Sequence, residues 1–147
     1  MIENIGENFS KEQFKKALKI GNVNSINIFG KGHHGYSYYN TKIGTRHPHL
    51  KFDLLKEQIE ACHEMGVTAQ VYFTVGWSQK DADDHPEWIL KDKNGTTNKL
   101  EVLKKLGPND RLPNFTWRLL APSIGYDEFI LKQVEEICVN YDIDGFW

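Results

Sequence analysis

The chain offers little sulfur chemistry. Its 147 residues include two cysteines, Cys62 and Cys138, which are too few for a disulfide framework and lack a metal-type spacing. Each falls inside a predicted helix, so the expectation is two buried free thiols. No apolar run is long enough to cross a bilayer. Excess charge of one sign is missing as well: 18 Lys and Arg stand against 20 Asp and Glu, a formal charge of -2. The cationic pairs Lys15-Lys16 and Lys104-Lys105 read as solvated helix faces, which argues against a nucleic-acid binder. Residues 1–7 have neither the basic start nor the apolar stretch of a signal peptide. A cytoplasmic protein is expected, with no membrane and no nucleic-acid partner.

What the chain does have is one plan repeated. Ser10, with Gln13 three residues on, has the form of a helix-capping box; Phe14, Ala17 and Leu18 give an apolar face, and Gly21 fits a helix end. A strand is predicted from Val23 to Phe29, with Ile26 and Ile28 on one side and Ser25, Asn27 and Phe29 on the other. A loop over residues 30–51 leads to a second helix, residues 53–65, which has Phe52, Leu55, Ile59 and Cys62 in register and stops at Gly66. Residues 67–75 then alternate, Val67, Ala69, Val71, Phe73 and Val75 against Thr68, Gln70, Tyr72 and Thr74. A short third strand is predicted near residues 117–121. A helix follows over residues 126–140, carrying Ile130, Val134 and Ile137, and a last strand over residues 142–147.

Helices alternating with strands imply an α/β fold with parallel pairing. Strands covered on both faces are apolar throughout, whereas each strand here has one mixed face bearing Asn, Gln, Thr and Tyr. A polar lining fits the inside of a barrel. A (β/α)8 TIM barrel takes roughly 250 residues, so this chain has room for about half of one. The expected fold is therefore the N-terminal part of a TIM barrel, three to four βα units, incomplete. Its last segment, Asp144-Gly145-Phe146-Trp147, reads as a core strand cut off where a site begins.

In such barrels function sits on the loops that follow the strands. After the first strand come His33, His34, Tyr36, Tyr38 and Tyr39; after the second come Trp77 and a long connection to about residue 110. Aromatic rings stack on the apolar faces of sugars while imidazoles hydrogen-bond hydroxyls, so these loops make a sugar platform. Adjacent residues of an extended segment point oppositely, which lets only one of His33 and His34 face a pocket fully. Trp77 reads equally as a platform or a core plug. His85-Pro86-Glu87-Trp88 reads as a loop staple with Trp88 buried and Glu87 exposed, and Asp92-Lys93-Asn94-Gly95 as a turn. His47-Pro48-His49 has the spacing of a metal pair, but it precedes a helix and lacks a carboxylate partner; it reads as solvated loop. No metal ligand set and no cofactor is expected.

Taken together, Phe29-Gly30-Lys31-Gly32-His33-His34-Gly35-Tyr36-Ser37-Tyr38-Tyr39, Phe52-Asp53-Leu54-Leu55, Tyr72-Phe73-Thr74-Val75-Gly76-Trp77, His85-Pro86-Glu87-Trp88 and Asp144-Gly145-Phe146-Trp147 resemble the N-terminal half of the hypothetical glycosyl hydrolase 6 family. The resemblance runs from about Ser25 onward. It implies a TIM-barrel glycoside hydrolase related to α-amylases and α-L-fucosidases, acting on O-glycosidic bonds with fucosidase- or galactosidase-like specificity. Fucosidases carry a Lys-His-His motif followed by an acidic residue and Gly, whose histidines bind the sugar. This chain has Lys31-Gly32-His33-His34-Gly35, with an inserted Gly and no acidic residue. The substrate-binding set implied is His33, His34, Tyr39 and Trp77.

The resemblance also implies where catalysis is not. In related barrels an Asp-Gly pair opens the strand and the catalytic carboxylate follows at its far end, two residues beyond Trp147. Asp144, at the start of its strand, falls at the barrel bottom, where residues serve stability. No catalytic residue is assigned, since glycoside hydrolysis ordinarily takes two carboxylates. The expectations are a carbohydrate substrate, an inactive chain by itself, and self-association or a complementing C-terminal half. Two other readings stay open, a non-catalytic carbohydrate-binding or interaction fragment and a metal-dependent barrel hydrolase.

Overall fold

Ser10 opens the first helix as expected: its Oγ accepts a hydrogen bond from the Gln13 amide, and α1 runs Lys11–Ile20 with Leu18 buried. In the computed structural model, which describes residues 3–91, 93–95 and 118–147, three further helices start the same way. Asp53 caps α2 (Leu54–Glu64), Ser78 caps α3 (Gln79–Asp84) and Ser123 caps α4 (Ile124–Asn140). Each cap satisfies an amide that the first helical turn leaves without a carbonyl.

The strands are β1 (Ser25–Lys31), β2 (Tyr36–Ser37), β3 (Thr45–Arg46), β4 (Thr68–Phe73) and β5 (Gly145–Phe146), in the order β3-β2-β1-β4-β5. Three of them, β1, β4 and β5, run parallel and neighbour one another, with α2 between β1 and β4 in the chain and α4 before β5. The sheet is open and mixed. The all-parallel expectation fails at one edge, where the segment read as loop supplies β2, antiparallel to β1, and β3 beside it. Near residue 120 the expected strand is two isolated antiparallel bridges, Trp77 with Leu119 and Ile89 with Leu120. Pro122 follows at once and has no amide to extend a ladder. Trp117, Lys104-Lys105, Asp92 and most of the connection beyond it lie outside the described residues.

One face of the sheet is covered by helices. Ile28, Ala69, Val71 and Phe73 pack there with Leu55, Ile59 and Cys62 of α2 and Ile130 and Ile137 of α4. Gly30 is needed at the closest approach, because a Cβ there would lie 2.8 Å from Val71 Cγ1. The pairing also slips at this point, from Phe29 opposite Tyr72 to Lys31 opposite Phe73. Such a bulge turns the next side chain to the other face. The expectation for the two thiols holds for Cys62, which is buried; Cys138 lies on the outer side of α4 and is exposed. Among the described residues no helix is long and apolar enough to cross a membrane.

Among the described residues no helix covers the other face. Toward the strand starts it is polar, with the Ser25 hydroxyl donating to Gln70 Oε1 at 2.9 Å. Toward the strand ends it becomes aromatic.

Candidate sugar-binding surface

Three rings cross that aromatic end in a row, one from each parallel strand or its continuation. Phe29 and Tyr72 stand opposite in register with centroids 4.7 Å apart, and Trp147 lies 5.3 Å beyond Tyr72. The main chain holds the row in place: the Trp147 amide donates to the Val71 carbonyl, and the Phe73 amide to the Trp147 carbonyl. Large rings are normally buried, yet Phe29 is 51% and Trp147 71% exposed. The alternation that marked Phe29 and Tyr72 as belonging to the polar face was the sequence signal for this row, because aromatic rings are out of place on a merely solvated face.

The loops after β1 and β4 extend the row upward. His33 Nε2 is hydrogen-bonded to the Tyr72 hydroxyl at 2.6 Å, and its ring meets Trp77 edge-on at 5.0 Å. Together with Phe73, Thr74, Val75 and Trp147 these residues line an open hollow of about 320 Å³. Among the described residues its lining offers apolar faces and hydrogen-bonding groups and no Asp or Glu side chain. That suits a ligand with a hydrophobic face and neutral hydroxyls.

The junction between the two loops is tight. The first amides of α3, Gln79 and Lys80, donate to the carbonyls of His33 and His34, each at 3.0 Å. Gly35 lies against the same helix start with φ of 89°, and a Cβ there would come within 2.3 Å of Ser78 Oγ and 2.9 Å of the Lys80 amide nitrogen. Only glycine fits both the conformation and the space.

The structure separates the expected site residues. His33 and Trp77 meet in the hollow. His34 turns away from it: the Tyr36 amide donates to His34 Nδ1 at 2.9 Å, which leaves Nε2 to carry the proton of the neutral ring and donate to the Tyr38 hydroxyl at 2.5 Å. Burial first, then the neighbouring His47, His33 and Lys31, push the His34 pKa down to about 4. Tyr39 is 0% exposed and packs edge-on against Tyr141. It lies in the core and does not line the hollow.

One other expectation changes, and a second holds except that Trp88 is only half-buried. His47 is buried, its ring stacked near Tyr38 and close to His34 and Tyr36, so it is a packed residue and not solvated loop. Trp88 is half-buried, stacked on His85 at 3.8 Å and packed on Tyr126 and Phe129, and Glu87 is exposed, so the segment staples the connection to α4. Among the described residues no group of three or more His, Cys, Asp or Glu side chains could hold a metal ion. Asp144 lies at the opposite end of the strands from the hollow. Its carboxylate accepts from the Ala69 amide at 2.7 Å and the His63 imidazole at 2.9 Å, which holds its pKa below the usual carboxylate range.

Lys31 falls within a loop motif by sequence, and the structure buries it completely. Its ammonium lies 2.6 Å from Asp81 Oδ2 and 3.2 Å from Gln133 Oε1, between the rings of Phe73 and Phe129. Desolvation lowers its pKa, and the Asp81 carboxylate opposes that shift.

The model of the family described as hypothetical glycosyl hydrolase 6 matches residues 10–147. Among solved structures, alpha-L-fucosidase isoenzyme 2 from Paenibacillus thiaminolyticus superposes with a TM-score of 0.85 at 37% identity, over 99% of this chain and 21% of that one. An alpha-fucosidase from Thermotoga maritima gives 0.63 at 20% identity, over 97% of this chain and 28% of that one. A maltogenic alpha-amylase from Thermotoga neapolitana gives 0.58 at 16% identity, over 92% and 32%. The last two share the fold. This chain thus spans between a fifth and a third of the length of these three structures. No curated protein sequence matches it.

Proposed function

The chain belongs to the hypothetical glycosyl hydrolase 6 family, and from that premise we propose that it supplies the sugar-contacting wall of a glycoside hydrolase-like (β/α)8 barrel. The observation that carries this reading is the hollow at the C-terminal ends of the parallel strands, where barrel enzymes keep their sites. Trp147, Tyr72 and Trp77 offer ring faces to the apolar side of a sugar, and His33 offers an imidazole to its hydroxyls. The similarity to an α-L-fucosidase supports an O-glycoside of a neutral sugar as the substrate class.

Cleavage asks for more than the hollow provides. A glycosidase places one carboxylic acid at the leaving oxygen and one carboxylate across the anomeric carbon, and neither is in the described lining. In this proposal these residues bind, and hydrolysis belongs to a complete barrel whose further elements cover the rings of Phe29 and Trp147.

Titration of the chain with methyl and p-nitrophenyl glycosides, followed by tryptophan fluorescence, tests the proposal. Saturable binding is expected, weakened in folded His33→Ala and Trp77→Ala, with no nitrophenol released. Absence of binding to every glycoside rejects the wall; nitrophenol release by this chain alone rejects the division of labour.

A further inference from the structure

The buried pair below the hollow has a more specific role than filling space. Lys31 ends β1 and Asp81 lies in the first turn of α3, so the contact joins the roots of the two loops that carry His33 and Trp77. Both side chains are out of water, 0% and 2% exposed. Burying two charges costs desolvation that their attraction does not reliably return, and an apolar pair of similar volume is often as stable. What an ion pair adds is direction. The ammonium is aimed by two acceptors, Asp81 Oδ2 and Gln133 Oε1, while Phe73 and Phe129 close the sides.

The layer above translates that direction into the hollow. Ser78 Oγ accepts from the Asp81 amide, so the residue that receives Lys31 also fixes the cap of α3. Trp77 is the residue before that cap. The next two amides, of Gln79 and Lys80, hold the carbonyls of His33 and His34, and Gly35 packs on Ser78 with no room to slide. A shift of Asp81 relative to Lys31 therefore moves the start of α3 against the His33 loop and changes the contact of the His33 ring with Trp77.

We propose that Lys31 and Asp81 are a positioning pair: through the α3 cap they set His33 against Trp77 and so determine the geometry of the sugar-contacting surface. The placement of His33 against Trp77 stands on their observed contact; its consequence for sugar affinity rests on the proposed function. Neither residue touches the hollow.

The test is the full chain with both partners replaced by apolar residues, Lys31→Met with Asp81→Leu, a change that removes the directed contact without leaving a buried charge. Thermal unfolding establishes that the variant folds. Nuclear magnetic resonance then reads the ring-current shift that Trp77 imposes on the His33 imidazole protons, a signal that a merely stabilising pair would not move. Ile59→Val, on the far side of the sheet, serves as a comparably mild core change.

The expected result is a folded double variant whose His33 shift falls by at least half while Ile59→Val keeps it, with affinity for a glycoside bound by the parent weakened about tenfold or more, as misplacement of contact groups produces. An unchanged His33 shift in the folded double variant overturns the proposal. If the double variant does not fold, Asp81→Asn carries the same readout, and an unchanged shift there overturns it equally. A parent chain that binds no glycoside sinks the proposed function and leaves the shift measurement to decide the positioning role.

Discussion

His63 donates its Nε2 hydrogen to the Asp144 carboxylate at 2.9 Å, and with the Ala69 amide on the same oxygen this ties α2, β4 and the start of β5 together at the end of the sheet away from the hollow. Because both hydrogen bonds favour the charged carboxylate, the folded pKa of Asp144 lies below its unfolded value. Its contribution to stability is complete above the unfolded carboxylate value and is lost as pH falls through the lowered folded one. Asp144→Asn is expected to cost about 1 kcal/mol near neutral pH, the scale of a partly solvated hydrogen bond. The difference from the parent shrinks in acid. Urea melts at several pH values check this, and a constant difference across pH contradicts it.

His34 gives the second pH effect, with a different cause. Its folded pKa of about 4 lies below the ordinary imidazole value. The folded state therefore resists the proton that the unfolded chain takes up, and stability falls as pH drops from about 6.5 towards 4. Nuclear magnetic resonance titration is expected to show the His34 ring neutral at pH 6. A midpoint near 6.5 for that ring contradicts its burial beside His47, His33 and Lys31.

Tyr39 separates core from platform. Its ring is out of water against Tyr141, so Tyr39→Ala should destabilise the chain by about 3–5 kcal/mol, as large core truncations do. His33→Ala, at the surface of the hollow, should cost far less stability. Denaturant unfolding of both variants makes the comparison, and equal losses go against the placement of Tyr39.

The two thiols should differ in reactivity. Cys138 is exposed, while burial raises the Cys62 thiol to about 11. A disulfide reagent at pH 8 is expected to modify one thiol of the native chain quickly and the second only on unfolding. Two fast equivalents in the native state contradict this.

Ser10 and Gly21 announced the ends of α1 in the sequence, since capping is a local exchange with the nearest unpaired backbone groups. Residues 67–75 showed both faces of β4 for an equally local reason, the two-residue alternation of a strand. The same alternation put Phe29 and Tyr72 on one face, and the family was legible because its motifs are contiguous. Lys31 was not readable in this way. Strict alternation from Phe29 sends it to the open face, and the bulge at Gly30, set by the approach of Val71 and Ile137, turns it into the core.

His33 and His34 are neighbours in the chain, and nothing local says which faces the hollow. The Tyr72 hydroxyl, 39 residues away, holds one, and the Tyr36 amide with the Tyr38 hydroxyl turns the other aside. Trp147 became part of the surface only when β5 paired with β4 and brought it beside Tyr72. The sequence by itself determined α1, α2 and α4, the alternation of β1 and β4 and the family, because those depend on spacing within a few residues, whereas α3, β2 and β3 fell in segments that read as loop. The tertiary structure decided which rings meet, which histidine faces the hollow and where Lys31 points, because those depend on strand register and on groups brought together from distant parts of the chain.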